Sequence, residues 1–183
     1  MLIARLAILL ILLAFAHPSS ASDATDSFQT RLTEARSLYR LTTSGLRAGK
    51  VEDAEASLRR LIELWTGITT TFRTSPPGPF RRVMMFADTL DGTGARLALA
   101  AESLSQGQND QALETLLPLK RDWVMLRRTA GLYGLVECLD EATDALEVMM
   151  AYKKTPPDLT RAEVRGDVLS RAAVYRWALK RCE

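Results

Sequence analysis

Several side-chain groupings in this chain could do chemistry, and the most conspicuous is Asp91-Gly92-Thr93-Gly94-Ala95. An acid beside two glycines has the composition of a phosphate-cradling loop or of a rearranged aspartic-protease signature. A phosphate loop follows a strand and opens a helix, so that backbone N–H groups converge on the anion. The surroundings here contain no strand pattern. Instead Val83, Ala87, Leu90, Gly94, Leu97, Ala101 and Leu104 step by 4, 3, 4, 3, 4, 3 straight through the run, the spacing of one helix face. The run is therefore expected to be helix. Gly94 falls on the seam, where a missing side chain admits a close neighbour. Gly92 falls off it, at a cost of about 1 kcal/mol in helix propensity.

The other groupings divide between ligation and packing. Met84-Met85 and Met149-Met150 could supply soft ligands for Cu(I). One member of each pair lies on or beside an apolar stripe, so core filling is the expected role. Asp88 and Asp91 share a helix face and could begin a carboxylate metal site. A ferritin-like centre requires Glu-x-x-His twice, which this sequence lacks, so the two are read as solvated charge. Arg81, Arg82, Arg127 and Arg128 form two adjacent-arginine pairs suited to a phosphate or an acidic partner, or to ordinary surface solvation. Trp65 and Trp123 are expected to anchor the core.

The single histidine, His17, excludes more than these groupings suggest. It sits within or at the edge of a leader: Arg5 ahead of "LAILLILLAFA", then "HPSSAS", the charged, apolar and small-residue order of a secretory signal. The apolar run is too short for a bilayer, which needs roughly 20 residues. Cleavage is expected after Ala21, or after Ala16 at a second small-residue match. Cleavage after Ala21 removes the only imidazole, and with it any Ser-His or Cys-His couple, His-ligated zinc or His-bound haem. No catalytic, cofactor-binding or metal-binding residue is assigned, no cofactor is expected, and the protein is read as no enzyme.

Charge agrees with that restraint. There are 24 Lys+Arg, one of them Arg5 of the leader, against 22 Asp+Glu, so nothing points to nucleic acid. A periplasmic or secreted chain with Cys138 and Cys182 as its two cysteines is expected to join them as a disulfide. No stable membrane span is expected after leader removal.

The elements that must position these residues are six helices. The first carries Phe28, Leu32, Ala35, Tyr39, Thr42 and Leu46, and the second Val51, Ala54, Leu58, Leu61, Trp65, Ile68 and Phe72. "SPPGP" at 75–79 stops the second. The third is the stripe through Gly94. The fourth carries Ala112, Leu116, Leu119, Trp123 and Leu126, with a kink expected at Pro118. Gly131 and Gly134 offer a break, although continuity between helices four and five stays open. The fifth stripe is Leu135, Leu139, Ala142, Leu146 and Met149, and the sixth is Val164, Val168, Arg171, Tyr175, Leu179 and Cys182. No useful period-2 alternation exists, so no sheet is expected.

At an offset of 58, "LRAGKVEDAEASLRRLIELW" overlies "LSQGQNDQALETLLPLKRDW". Leu46, Gly49, Ala54, Leu58, Leu61 and Trp65 coincide with Leu104, Gly107, Ala112, Leu116, Leu119 and Trp123; Phe28 and Leu32 fall on Phe86 and Leu90. The fold expected is all-α: an antiparallel four-helix bundle from two duplicated αα-hairpins (22–75 and 79–130) plus a C-terminal helical hairpin (132–183). All three are assigned to a single domain, 22–183, after a signal peptide at 1–21.

"GLRAGKVEDAEASLRRL" resembles the turn of a tetratricopeptide repeat, with Gly49 and Ala54 in its small-residue roles. The 58-residue spacing does not match that family's 34-residue array. An exported chain with four seam-patterned helices also resembles the periplasmic cytochrome c′ and cytochrome b562 bundles. That resemblance implies the bundle fold, and a haem- or metal-handling ancestry as the alternative function. Cys138 lies where that group carries haem-attaching cysteines, but "ECLDEA" has neither the second Cys nor the His. "FRRV" at 80–83 and "LRR" at 126–128 with the following "GLYGLVECLDEA" are similar to haem-free helical extracytoplasmic domains associated with iron permeases. The function expected is non-enzymatic binding of a partner protein or small ligand in the cell envelope.

Overall fold

A computed structural model describes residues 19–182. The expected leader at 1–21, with Arg5, His17 and the alternative cleavage point, lies outside them apart from Ser19–Ala21. Six α-helices and one 3-10 turn, with no strand, make up the described chain: α1 Ser19–Arg47, α2 Val51–Phe72, the turn Gly78–Arg82, α3 Phe86–Ser105, α4 Asn109–Thr129, α5 Leu135–Lys154 and α6 Ala162–Lys180. They divide into two compact units, the first ending at Ala130 and the second beginning at Gly131.

In the first unit α1 packs on α2, α2 on α3, α3 on α4, and α4 on α1. The stripes of α1, α2 and α4 are buried as their spacing requires, Val51 excepted. Thr42 and Thr43 enter this core because each hydroxyl donates to the carbonyl four residues back, Leu38 at 2.9 Å and Tyr39 at 3.0 Å. The seam of α3 differs from the expected one. Phe86, Leu90, Thr93, Leu97, Ala100 and Leu104 are buried, whereas Ala87, Gly94 and Ala101 sit at its margin. Thr93 displaces Gly94 because its hydroxyl accepts the Trp123 indole N–H at 3.2 Å. A polar residue thereby satisfies a donor that burial would otherwise strand.

The turns between paired helices obey one rule. Gly49 has φ +70° and Gly107 φ +72°, the left-handed geometry that costs glycine nothing. Lys50 N–H donates to Gly45 O and Gln108 N–H to Ser103 O, both at 2.9 Å, closing the six-residue loop of a Schellman stop. Between α2 and α3, Pro76 and Pro77 end the helix, and the 3-10 turn inserts Phe80 against Phe28 at 4.7 Å between ring centroids. Phe72 and Phe86 also contact Phe28, at 5.2 and 5.5 Å. Helix α4 runs on through Pro118 and stops at Thr129, ahead of Gly131 with φ +73°. Helices four and five are thus separate.

The second unit is α5 packed on α6. Gly134 N–H donates to Glu137 Oε2 at 2.9 Å, the return half of a capping box at the start of α5. Cys138, Ala142 and Ala178 are buried between the helices. The expected fifth stripe is corrected here: Leu135, Leu139 and Leu146 are 60, 47 and 37% exposed. The face that α6 covers is the small-residue one, because Cys and Ala let two backbones approach where leucines would hold them apart. In the sixth stripe Ala178 takes the buried place expected of Leu179, which is exposed.

Candidate functional site

The Asp91–Ala95 run lies wholly inside α3. It belongs to no anion loop, yet one of its glycines shapes a surface feature. A Cβ placed on Gly92 meets nothing within 4 Å, whereas one on Gly94 approaches Trp65 at 3.8 Å. A Cβ on Gly94 would thus make ordinary contact with the indole, whereas Gly92 leaves open space. That space is a groove of 360 Å³ between α3 and α4, within the size range of small-ligand sites.

Val83, Met85, Met125 and Leu126 make its apolar walls, and Asp88, Arg96 and Asp122 are its charged members. The hydroxyls of Thr89 and Thr129, also in its lining, donate to Met85 O and Met125 O at 2.8 Å. Their O–H donors are consequently already used. Asp88 and Arg96 are exposed and Asp122 is half-buried. The chain reverses at Gly107, and Arg96 and Asp122 are the lining residues of α3 and α4 nearest that turn, so they share one end of the groove. Asp88 stands about 12 Å along α3 from Arg96 at 1.5 Å per residue.

Asp88 and Asp91 therefore do different things. Asp91 accepts three hydrogen bonds from Arg73, two from Nε at 2.9 and 3.0 Å and one from Nη2 at 2.8 Å. This hydrogen bonding holds the Asp91 carboxyl below its ordinary range and raises the guanidinium of Arg73. Asp88 faces the groove. Among the described residues no group of three or more His, Cys, Asp or Glu is placed to hold a metal ion.

Core filling is wrong for Met84 and Met85, which are 95 and 69% exposed. Both precede α3, where the chain leaves the 3-10 turn, and Phe80, Val83 and Phe86 take the buried positions around them. Met150 is likewise exposed, and Met149 half-buried. Of the arginine pairs, Arg81 and Arg82 lie exposed on the 3-10 turn beside Phe80, and Arg128 is exposed at the end of α4. Arg127 turns inward and donates to Gln29 Oε1 of α1. Because Phe80 packs on Phe28, both pairs lie at the Phe28–Gln29 end of the unit. Trp65 and Trp123 are buried and stacked, 5.1 Å apart with 18° between planes.

No known family model and no solved structure matches this chain. Its site must be read from its own residues.

In the second unit Cys138 and Cys182 form a disulfide, with Cα atoms 5.5 Å apart. Beside it Glu141 Oε2 accepts from the Tyr133 hydroxyl at 2.9 Å and from Arg181 at 3.4 Å. The Arg181 guanidinium lies 4.6 Å from the Trp177 ring centre and 5.5 Å from that of Tyr133. Toward the proline turn, Asp167 accepts from Arg171 at 2.8 Å and from the Tyr152 hydroxyl at 2.7 Å. These bonds, Arg171's first, lower the Asp167 carboxyl, and the bond to Asp167 raises the Tyr152 phenol.

The groove residues Arg96, Asp122 and Met125 were not among the candidates that the sequence singled out. The offset of 58 carries a signal that finds them. Gly92 corresponds to Glu34, Arg96 to Leu38, Asp122 to Leu64 and Met125 to Gly67. In the first hairpin Arg31 lies over Gly67, its Nη1 3.4 Å from where a Cβ would stand, and Leu38 is buried. Matched positions that are filled or apolar on one hairpin are thus open or charged on the other.

Proposed function

We propose that this is an exported, non-enzymatic binding protein of the cell envelope, and that the α3–α4 groove holds a small ligand. The open groove is the observation that carries this. It lies on an element whose core is otherwise filled, and its charged residues Asp88 and Arg96 stand exposed along it, with Asp122 half-buried. The Cys138–Cys182 disulfide supports an oxidising compartment. No described helix is long and apolar enough to cross a membrane.

The scaffold we infer is an antiparallel four-helix bundle made by duplicating one αα-hairpin. Support comes from pairs matched at the 58-residue offset. Gly49 and Gly107 share a φ within 2° and the same helix stop. Ala54 and Ala112 are both wholly buried. The matched Phe28 and Phe86 contact each other at 5.5 Å, as do Trp65 and Trp123 at 5.1 Å. Contact between equivalent residues is what a pseudo-twofold axis passing between them produces. On this account the second hairpin opened a site by exchanging Glu34 and Leu38 equivalents for Gly92 and Arg96.

Selective labelling of methionine methyl groups tests the proposal. A small-molecule library should contain compounds that shift the Met85 and Met125 signals in a saturable way while leaving Met150 unmoved. Gly92→Leu, which fills the floor from an exposed helix position, should abolish those shifts without loss of fold. A library that moves neither signal would refute the groove as a ligand site.

A further inference from the structure

We infer that the groove is built for a basic amino acid: a molecule with a carboxylate and ammonium at one end, an aliphatic stem, and a second cation at the other. This rests on the reading of the groove as a ligand site and names the ligand class. The argument is the order of charges along the cleft. Arg96 and Asp122 share one end, offering a guanidinium for a carboxylate and a carboxylate for an α-ammonium. Asp88 stands about 12 Å from Arg96 along the same helix, and the wall between is Gly92 on one side with Met125 and Leu126 on the other.

Alternative ligand chemistries leave a charge unmatched. A fatty acid or simple carboxylate satisfies Arg96 but sets an apolar tail beside Asp88. A linear diamine satisfies both aspartates but sets a cation near Arg96. A neutral amino acid satisfies Arg96 and Asp122 and brings no cation to Asp88, whose neighbouring Arg73 is bonded to Asp91. An extended lysine-like molecule pairs with all three, and its net charge of one positive offsets the cleft's two acids and one base. The apolar walls agree: Met85 and Met125 suit a flexible methylene stem, since methionine adapts its shape to what it contacts. Thr89 and Thr129 commit their O–H donors to Met85 O and Met125 O, and the buried Thr93 oxygen accepts the Trp123 indole N–H. The charged groups, exposed or half-buried, are the cleft's polar anchors.

Calorimetric titration of the full chain with lysine, norleucine and 1,5-diaminopentane tests the inference, because the last two each lack one end of the first. Lysine should bind at least about tenfold more tightly than either. Asp88→Asn should lower lysine to the norleucine level and leave norleucine unchanged. Arg96→Gln should lower lysine to the diamine level. All substituted side chains are at the surface, and circular dichroism checks that each variant is folded. Equal binding of lysine and norleucine, or lysine binding indifferent to Asp88→Asn, overturns the inference. If lysine fails while library compounds still shift Met85 and Met125, the ligand class is wrong and the groove stands. If neither binds, both readings fall.

Discussion

The two units of this protein hold themselves together in opposite ways. The first buries large side chains: Phe28, Phe80, Trp65 and Trp123 are each no more than 1% exposed, and aromatic rings meet edge-on or stacked through its centre. The second buries only Cys138, Ala142 and Ala178 among its described apolar residues, while Leu135, Leu169 and Trp177 are at least 60% exposed. Two helices cannot enclose a core between them, since each can cover only one stripe of the other. The second unit therefore relies on a covalent bond, and on Glu141, Arg181, Tyr133 and Trp177 gathered beside it. Similar helix periodicity thus encodes a packed core in one unit and a pinned pair in the other. The number of partners decides which.

The largest expected effect tests the first unit. Trp123→Ala removes the stack on Trp65, the edge contact with Tyr39 and the bond to Thr93. A loss of about 5 kcal/mol is expected, the upper end for a large-to-small core change. Denaturation followed by hydrogen exchange of the α2 and α4 amides should report it, and a loss below about 2 kcal/mol would mean that the stack is not the centre of the core.

Reduction of Cys138–Cys182, or replacement of both by serine, comes next and acts on the second unit. A 44-residue separation corresponds to about 4 kcal/mol of chain entropy. The α5 and α6 amides should lose hydrogen-exchange protection while those of α2 and α4 keep theirs. Uniform loss across both units would break the comparison.

The smallest effect is electrostatic and separates the units by pH. Asp91 and Asp167 both titrate below the ordinary carboxylate range, through hydrogen bonds from Arg73 and Arg171 respectively. A depressed folded pKa contributes stability above the unfolded value, lost as pH falls through the folded one. Each unit should thus weaken in acid, and Arg73→Gln should flatten that limb in the first unit alone. Tyr152 is raised through its bond to Asp167. Its contribution is present below the unfolded phenol pKa and lost as pH rises through the folded one. The second unit should accordingly weaken in alkali, and Tyr152→Phe should remove that limb. All these groups are at the surface, so the slopes will be shallow.

Much of the candidate site lies beyond what a pattern along one helix can carry. Gly92 was read only as a weak helix former, because propensity is a property of one position, whereas a groove exists only between two helices. Met84 and Met85 were placed in the core because apolar character and adjacency to a stripe say nothing about where a helix begins. Helix α3 starts after them, at Phe86. The shift from Gly94 to Thr93 has the same origin: a hydrophobicity pattern cannot anticipate that a threonine hydroxyl will meet an indole 30 residues away.

By itself the sequence determined the helical class, the element boundaries near glycine and proline, and the seams of α1, α2 and α4. Each of these follows from local sterics and a repeat of 3.6 residues, which act within one or two turns of chain. The Cys138–Cys182 pairing was also determined in advance, since there were two cysteines to join. Only the tertiary structure decided that Phe80 plugs the Phe28 end, that α5 buries its alanines in place of its leucines, and that Asp88, Arg96 and Asp122 line one cleft. Those outcomes depend on which surfaces meet. Meeting surfaces are chosen by the fit of side chains on separate helices, information that no single helix carries.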